Sequence, residues 1–258
     1  MKKIHLIILM LLANLLLSQE LPPPPPGPRD GNNGVKKEMS SLKIYGEKIK
    51  KVLPKFNVLL SESSDSHSIY YYKTIEKKLI ELDSTLTEEQ IVSFTKFNIS
   101  ENKINPTLLD SLANKAYKLN DEKNYREVVK TANLILEKSA NNITAHKELS
   151  LAYKHLGKDE LSKKHLGMMA KIISSVFKYS DGSYESPFLI NNFFEGISIY
   201  EAKFRCKPKK ITLMLDKKGR ILGAYNGYSS YWDEIFIRYS ELSHWKPQLK
   251  EGDYREEQ

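Results

Sequence analysis

Apolar residues fall three and four positions apart through most of the first two thirds of the chain, and two apart near its end. The first spacing predicts amphipathic helices and the second half-buried strands. Leu42, Tyr45, Ile49, Val52 and Leu53 predict a helix or a broken pair over 38–60, interrupted at Pro54. Ser61 to Ser68 is polar and reads as a loop. Tyr72, Ile75, Leu79 and Leu82 predict a second helix near 69–82. Thr87 and Gln90 form a capping box for a third helix, with Leu86 and Ile91 placed as a hydrophobic staple. Glu88 and Glu89 put negative charge at the positive end of that helix. As sequence neighbours they project to different faces, so they do not read as a carboxylate pair.

The segment Ala116-Tyr117-Lys118 returns 36 residues later as Ala152-Tyr153-Lys154, each time late in a helix. Asn105-Pro106 opens the helix of the first copy, with Asn105 as cap. Asn120 to Lys123 makes its turn, and Asn124 with Glu127 opens the partner helix. The second copy has its turn at Leu156-Gly157-Lys158. A helical pair repeated at about 34 residues is the signature of tetratricopeptide units. The hairpins are placed at 106–141 and 142–176. Two units are fewer than a free-standing stack needs, so flanking elements must cap them.

Beyond the turn cluster Tyr179 to Ser183 the period drops to two. Tyr200, Ala202, Phe204 and Cys206 alternate with charged residues and predict a strand. Ile211 to Leu215 and Ile221 to Tyr225 predict two more, joined by an Asp216-Lys217-Lys218-Gly219 turn. Ile235 to Tyr239 suggests a last one. The expected fold class is α+β, a helical domain over 38–178 followed by a small antiparallel sheet within 179–246 and a charged tail over 247–258.

The N-terminal pattern changes this picture. Lys2 and Lys3 precede an apolar run from Ile4 to Leu17, with Ser18 at the boundary. That order describes a secretory signal peptide over 1–18, too short for an ordinary membrane span; a retained anchor is the competing reading. Residues 19–37 are a linker, in which Pro22 to Pro26 favours extended polyproline geometry. The expected location is periplasmic or extracellular, with no transmembrane span after cleavage. The chain of 258 residues carries 40 Lys and Arg against 32 Asp and Glu, a formal charge of +8. The excess is spread along the sequence, unlike the concentrated face of a nucleic-acid binder, so no nucleic acid is expected. Cys206 is the single cysteine, which excludes an internal disulfide and a thiolate cluster.

Three places resemble an uncharacterised exported Bacteroidota family catalogued as domain of unknown function 4919. They are Tyr70-Tyr71-Tyr72 with Asp83-Ser84-Thr85-Leu86-Thr87-Glu88-Glu89, the hairpins around Ala152-Tyr153-Lys154, and Ile172-Ile173 followed by Ser180-Asp181-Gly182-Ser183. In the last of these the family tends to Ser-Gly-Asp-Gly, and this chain lacks one glycine. The similarity covers about residues 65–195. It implies export and fold, and no chemistry.

Lys115, Lys118, Lys147 and Lys154 are the candidate partner-binding residues, placed to hold an acidic segment by charge-assisted hydrogen bonds. A solvated helix face is the competing reading. Ser180 and Asp181, with Tyr225, Tyr228 and Trp232 beyond them, form a candidate ligand site in the β-region. A plain turn and ordinary core aromatics are the alternatives there. The histidines are scattered and do not converge in sequence, and no catalytic, metal or cofactor motif occurs. The expected function is an exported, non-catalytic protein-interaction module with a protein partner. An exported enzyme or small-ligand-binding protein is the alternative.

Overall fold

The computed structural model describes residues 53–101, 103–204, 207–208, 210–215, 221–226 and 238–241. The expected signal peptide and linker, the 38–52 part of the helix expected over 38–60, the 216–219 turn, Cys206, Tyr228, Trp232 and the expected charged tail lie outside the described residues. No described helix is long and apolar enough to cross a membrane.

Residues 53–59 are not helical, and Pro54, which lacks a backbone donor, stands within this break. The first helix, α1 (Leu60–Ser64), occupies part of the stretch expected to be a loop. Ser63 anchors it, buried with its Oγ 2.8 Å from that of Ser93. Helix α2 (Tyr72–Ile80) is shorter than the 69–82 expectation. It ends in a leucine, Leu82, with φ +57°. The Leu82 N–H bonds the Leu79 carbonyl and the Asp83 N–H bonds that of Lys78, a Schellman closure. Helix α3 (Glu88–Ser100) starts as its capping box predicts: Gln90 N–H donates to Thr87 Oγ1 at 3.2 Å and Thr87 N–H to Gln90 Oε1 at 3.0 Å.

Two hairpins follow, α4 (Pro106–Asp121) with α5 (Tyr125–Lys138), and α6 (Ile143–His155) with α7 (Asp159–Tyr179). Asn105 Oδ1 accepts from Leu108 N–H at 3.0 Å, and Asn142 Oδ1 from Ala145 N–H at 2.9 Å. The expected box at Asn124 does not form. Its side chain makes no cap bond, and Glu127 turns to Lys130 at 2.6 Å instead. The Asn124 N–H is spent on the Leu119 carbonyl, in a Schellman closure whose left-handed residue is Lys123, φ +61°. The α6/α7 turn is built the same way around Gly157, φ +70°. Glycine takes that conformation freely, whereas a lysine is strained there. Lys123→Gly is therefore expected to raise the unfolding free energy by about 0.5–1 kcal/mol, checked by urea denaturation.

Ala116 and Ala152 are fully buried, Tyr117 and Tyr153 half-buried, and Lys118 and Lys154 exposed, so the two copies occupy like environments. Helix α3 packs on α7, with α1 and α2 against α3, so the N-terminal helices cover the far side of the second hairpin. Lys178 of α7 lies 3.1 Å from Glu88 and 3.1 Å from Glu89. The two carboxylates thus do converge, on a cation held between two helices.

The segment read as a strand near 200 is a helix, α8 (Phe193–Phe204). It is buried on most sides, which erases the one-sided stripe by which a helix is recognised. At its end Lys203 lies over the rings of Phe177 and Phe188, at 5.1 and 5.6 Å. Lys203 over these rings and Glu201 bonded to Tyr117 and Lys147 are charged residues engaged with the fold, which lent the segment its false alternation. The sheet combines β1 (Phe188–Leu189), β2 (Lys210–Leu215), β3 (Ile221–Asn226) and β4 (Arg238–Glu241), in the order β1-β4-β3-β2. β2, β3 and β4 run antiparallel, as expected, and the two-residue β1 adds to β4 in parallel.

One core cluster joins α2, α3, α7 and α8 around Ile75, Ile91, Phe94, Ile172 and Ile199. A second lies within the hairpins, around Leu109, Ala113, Ile135 and Leu149. Phe193 packs on the first and Phe194 on the second, so α8 is the element that joins them.

Candidate binding surface

Helices α4 and α6 lie side by side, and the face they share is covered by α8. The contact is polar. Asn192, Glu195, Ser198 and Glu201 recur every third residue of α8 and its entry. Each meets a partner on the hairpins. Asn142 Nδ2 donates to Asn192 Oδ1 at 2.9 Å, and Asn192 Nδ2 donates to Asp110 Oδ1 at 2.7 Å. Ser198 Oγ lies 2.9 Å from Thr144 Oγ1. Tyr117 OH donates to Glu201 Oε1 at 2.6 Å and Lys147 Nζ to Glu201 Oε2 at 2.7 Å.

Two helix N-termini are capped across this seam. Glu195, 1% exposed, accepts at Oε1 from Ile143 N–H, the first residue of α6, at 2.8 Å. Its Oε2 accepts from Asn191 N–H at 2.6 Å. Asp110 in turn accepts from Phe194 N–H, in the first turn of α8, at 3.1 Å. Donors and helix dipoles at these positions favour the ionised carboxylates. Burial opposes them, pushing Glu195 up to about 7 and Asp110 above its ordinary range. Burial also raises the Tyr225 hydroxyl, with Asp110 and Glu195 adding to the effect.

The expected site residues separate accordingly. Lys147 does grip a carboxylate, but one supplied by the chain itself. It is bound to Glu201, lies 3.1 Å from the buried Glu148, and sits 4.3 Å over the Tyr117 ring. It is therefore not open to a partner, because α8 has taken the face. Lys154 is exposed near the end of α6. Lys115 and Lys118 are exposed on α4 and line a shallow hollow of about 300 Å³ with Ser111, Asn114, Leu119 and Glu122.

Of the residues proposed for the β-region, Ser180, Asp181 and Tyr225 are among those described, and each makes a bond within the fold. Ser180 Oγ donates to the Val176 carbonyl at 2.7 Å, and Asp181 Oδ1 accepts from Ser183 N–H at 2.8 Å. These bonds build the turn that leaves α7. Tyr225 is 1% exposed and its hydroxyl donates to the Phe193 carbonyl at 2.9 Å. Among the described residues no three His, Cys, Asp or Glu side chains gather where a metal ion could be held.

Two histidines do converge, against the reading of the sequence. His146 on α6 and His165 on α7 meet with their Nδ1 atoms 3.0 Å apart. They are 19 residues apart, and only the antiparallel hairpin brings them together. No local spacing announces them. The α8 seam, by contrast, has a signal in the three-residue recurrence of its polar positions.

No family model, no curated relative and no solved structure matches the chain.

Proposed function

We propose that the chain is an exported, non-catalytic protein-interaction module. Its tetratricopeptide-like hairpins hold a protein partner in the periplasm or outside the cell. The observation that supports this reading is the lysine-lined hollow along α4, shallow and open, on a helix paired with α5. It suits an acidic segment of a partner, gripped by Lys115 and Lys118 through charge-assisted hydrogen bonds. Export rests on the charged start and apolar run of residues 1–18 and on the resemblance to the exported family. The alternative, an exported enzyme or small-ligand-binding protein, would draw on Ser180, Asp181, Tyr225, Tyr228 and Trp232, of which the last two lie outside the described residues. The Ser180 and Tyr225 hydroxyls are bonded within the fold, and Asp181 Oδ1 builds the turn.

Crosslinking in the native cell envelope, followed by identification of the captured protein, tests the reading. Reversing both charges, Lys115→Glu with Lys118→Glu, is expected to weaken capture about tenfold or more, a change of about 1.4 kcal/mol. The melting temperature should stay unchanged, because both side chains are exposed. Undiminished capture by the reversed protein would remove α4 as the partner surface.

A further inference from the structure

The two halves of α7 are held by different chemistry. Its C-terminal half carries Met168, Ile172 and Ile173 into the apolar core shared with α3. Its N-terminal half faces α6 through a stripe of buried polar side chains. His146 and Ser150 lie one turn apart on α6, and Ser162 and His165 one turn apart on α7. All four are under 9% exposed. Ser150 Oγ donates to the Ser162 carbonyl at 3.0 Å, and Ser162 Oγ to the Ser150 carbonyl at 2.8 Å.

The histidine pair closes the stripe with a single proton. His146 Nε2 lies 3.1 Å from the Ala140 carbonyl, so it carries the hydrogen. The neutral ring then has an acceptor at Nδ1, and His165 Nδ1–H donates to it. A further proton on His146 would set two N–H donors against each other at this distance, inside the fold.

We propose that the His146–His165 pair is an acid-sensitive latch: in acid the N-terminal half of α7 lifts from α6, while its C-terminal half stays docked on α3.

Apart from the Ala140 carbonyl, which His146 Nε2 meets and which favours its charged form, no group among the described residues is placed to stabilise an imidazolium at the pair. The one charge that bears on His146 is His165 itself. Tyr153 stacks on the His165 ring at 5.5 Å, and Lys158 lies 5.7 Å over Tyr153, a cation that opposes protonation. On α6, Lys147 and Glu148 are engaged with Glu201 and Asn120. On α7, Lys164 pairs with Glu160. From α3, Glu88 and Glu89 reach Lys178, more than three turns beyond His165. On α5, Glu137 and Lys138 are exposed. Burial pushes His146 down to about 3 and His165 to about 4, from an ordinary 6.5. The opened state therefore binds protons more readily than the closed one. The latch is at full strength above pH 6.5 and weakens as pH falls toward 4.

Amide hydrogen exchange of the full chain at pH 7.5 and 4.5, each corrected for the intrinsic exchange rate, tests this directly. The opening constant over residues 146–166 is expected to rise on the order of 50-fold for each histidine that charges. Residues 168–179 and 88–100 should change far less. An unchanged segment 146–166, or an equal rise in all three segments, would overturn the latch. Substituting both positions, His146→Leu with His165→Leu, should abolish the rise, since an apolar pair of similar volume has no proton to take up. Persistence of the rise in that variant would also overturn it. Should the variant not fold, the comparison of segments in the unsubstituted chain decides.

Discussion

Replacing Gly196 with alanine is expected to lower the unfolding free energy by about 3 kcal/mol. Gly196 lies in α8, against the ring of Tyr225 on β3. A Cβ at this position would fall 2.2 Å from Tyr225 Cζ and 2.2 Å from its hydroxyl oxygen. The ring cannot swing away at small cost. It is 1% exposed, packs on Phe193 at 5.6 Å, and is tied by its hydroxyl to the Phe193 carbonyl. Overfilling a packed core costs about 1–3 kcal/mol. Breaking the hydroxyl bond and leaving the oxygen buried adds about 1–3 kcal/mol. The better helix propensity of alanine returns about 1 kcal/mol. Urea denaturation of Gly196→Ala measures the net loss. Shrinking the ring, as in Gly196→Ala with Tyr225→Leu, should recover part of it, because the two positions are in contact and their effects do not add. A neutral Gly196→Ala would mean that α8 does not press on the sheet as described.

What could be read in the sequence was what short-range chemistry decides. Thr87 with Gln90, Asn105 before Pro106, and Asn142 mark helix starts because a side chain two or three residues away supplies the missing acceptor. The turns at 120–123 and 156–158 were legible from their turn-forming residues, Asn120 and Asp121 in the first and Gly157 in the second. Asn124 shows the limit of such reading. It has the right residue type at the right place, yet the preceding helix had already claimed its backbone N–H for a Schellman closure. Helix α8 was not legible because its identity comes from outside it. Its polar side chains are buried against the hairpins and its apolar ones against the sheet, so the one-sided apolar stripe is missing and only the three-residue recurrence of its polar positions remains as a sign. The same placement explains the candidate site. Lys147 sits on the face expected to receive a carboxylate and has one, from Glu201. The lysines that remain exposed are those that α8 does not reach, Lys115 and Lys118 on α4 and Lys154 near the end of α6.

The seam that α8 forms should grow weaker as pH rises, and Glu195→Gln isolates the cause. Burial raises the Glu195 carboxyl to about 7 in the folded chain, from an ordinary 4.5. The folded state therefore holds the proton more firmly than the unfolded state between those values. The contribution of Glu195 to stability is complete below pH 4.5, declines as pH rises through 7, and is constant above. Over that window the difference corresponds to about 3 kcal/mol, an upper bound where three N–H donors from Ile143 and Asn191 share the carboxylate. Asp110 is raised in the same direction and repels Glu195, so the two titrate as a coupled pair. The histidines of the α6/α7 hairpin shift stability in the opposite sense, with a loss on acidification, so a pH profile of the unsubstituted chain mixes the two. Glutamine keeps the shape and one acceptor but cannot ionise. Subtracting its denaturation profile from that of the unsubstituted chain cancels the histidines, which both proteins carry. The difference should fall by up to about 2.5 kcal/mol between pH 5 and pH 8, with the unsubstituted chain losing ground as pH rises. A flat difference would mean that the donors and the α6 N-terminus fully offset burial, leaving Glu195 ionised in the seam throughout this range.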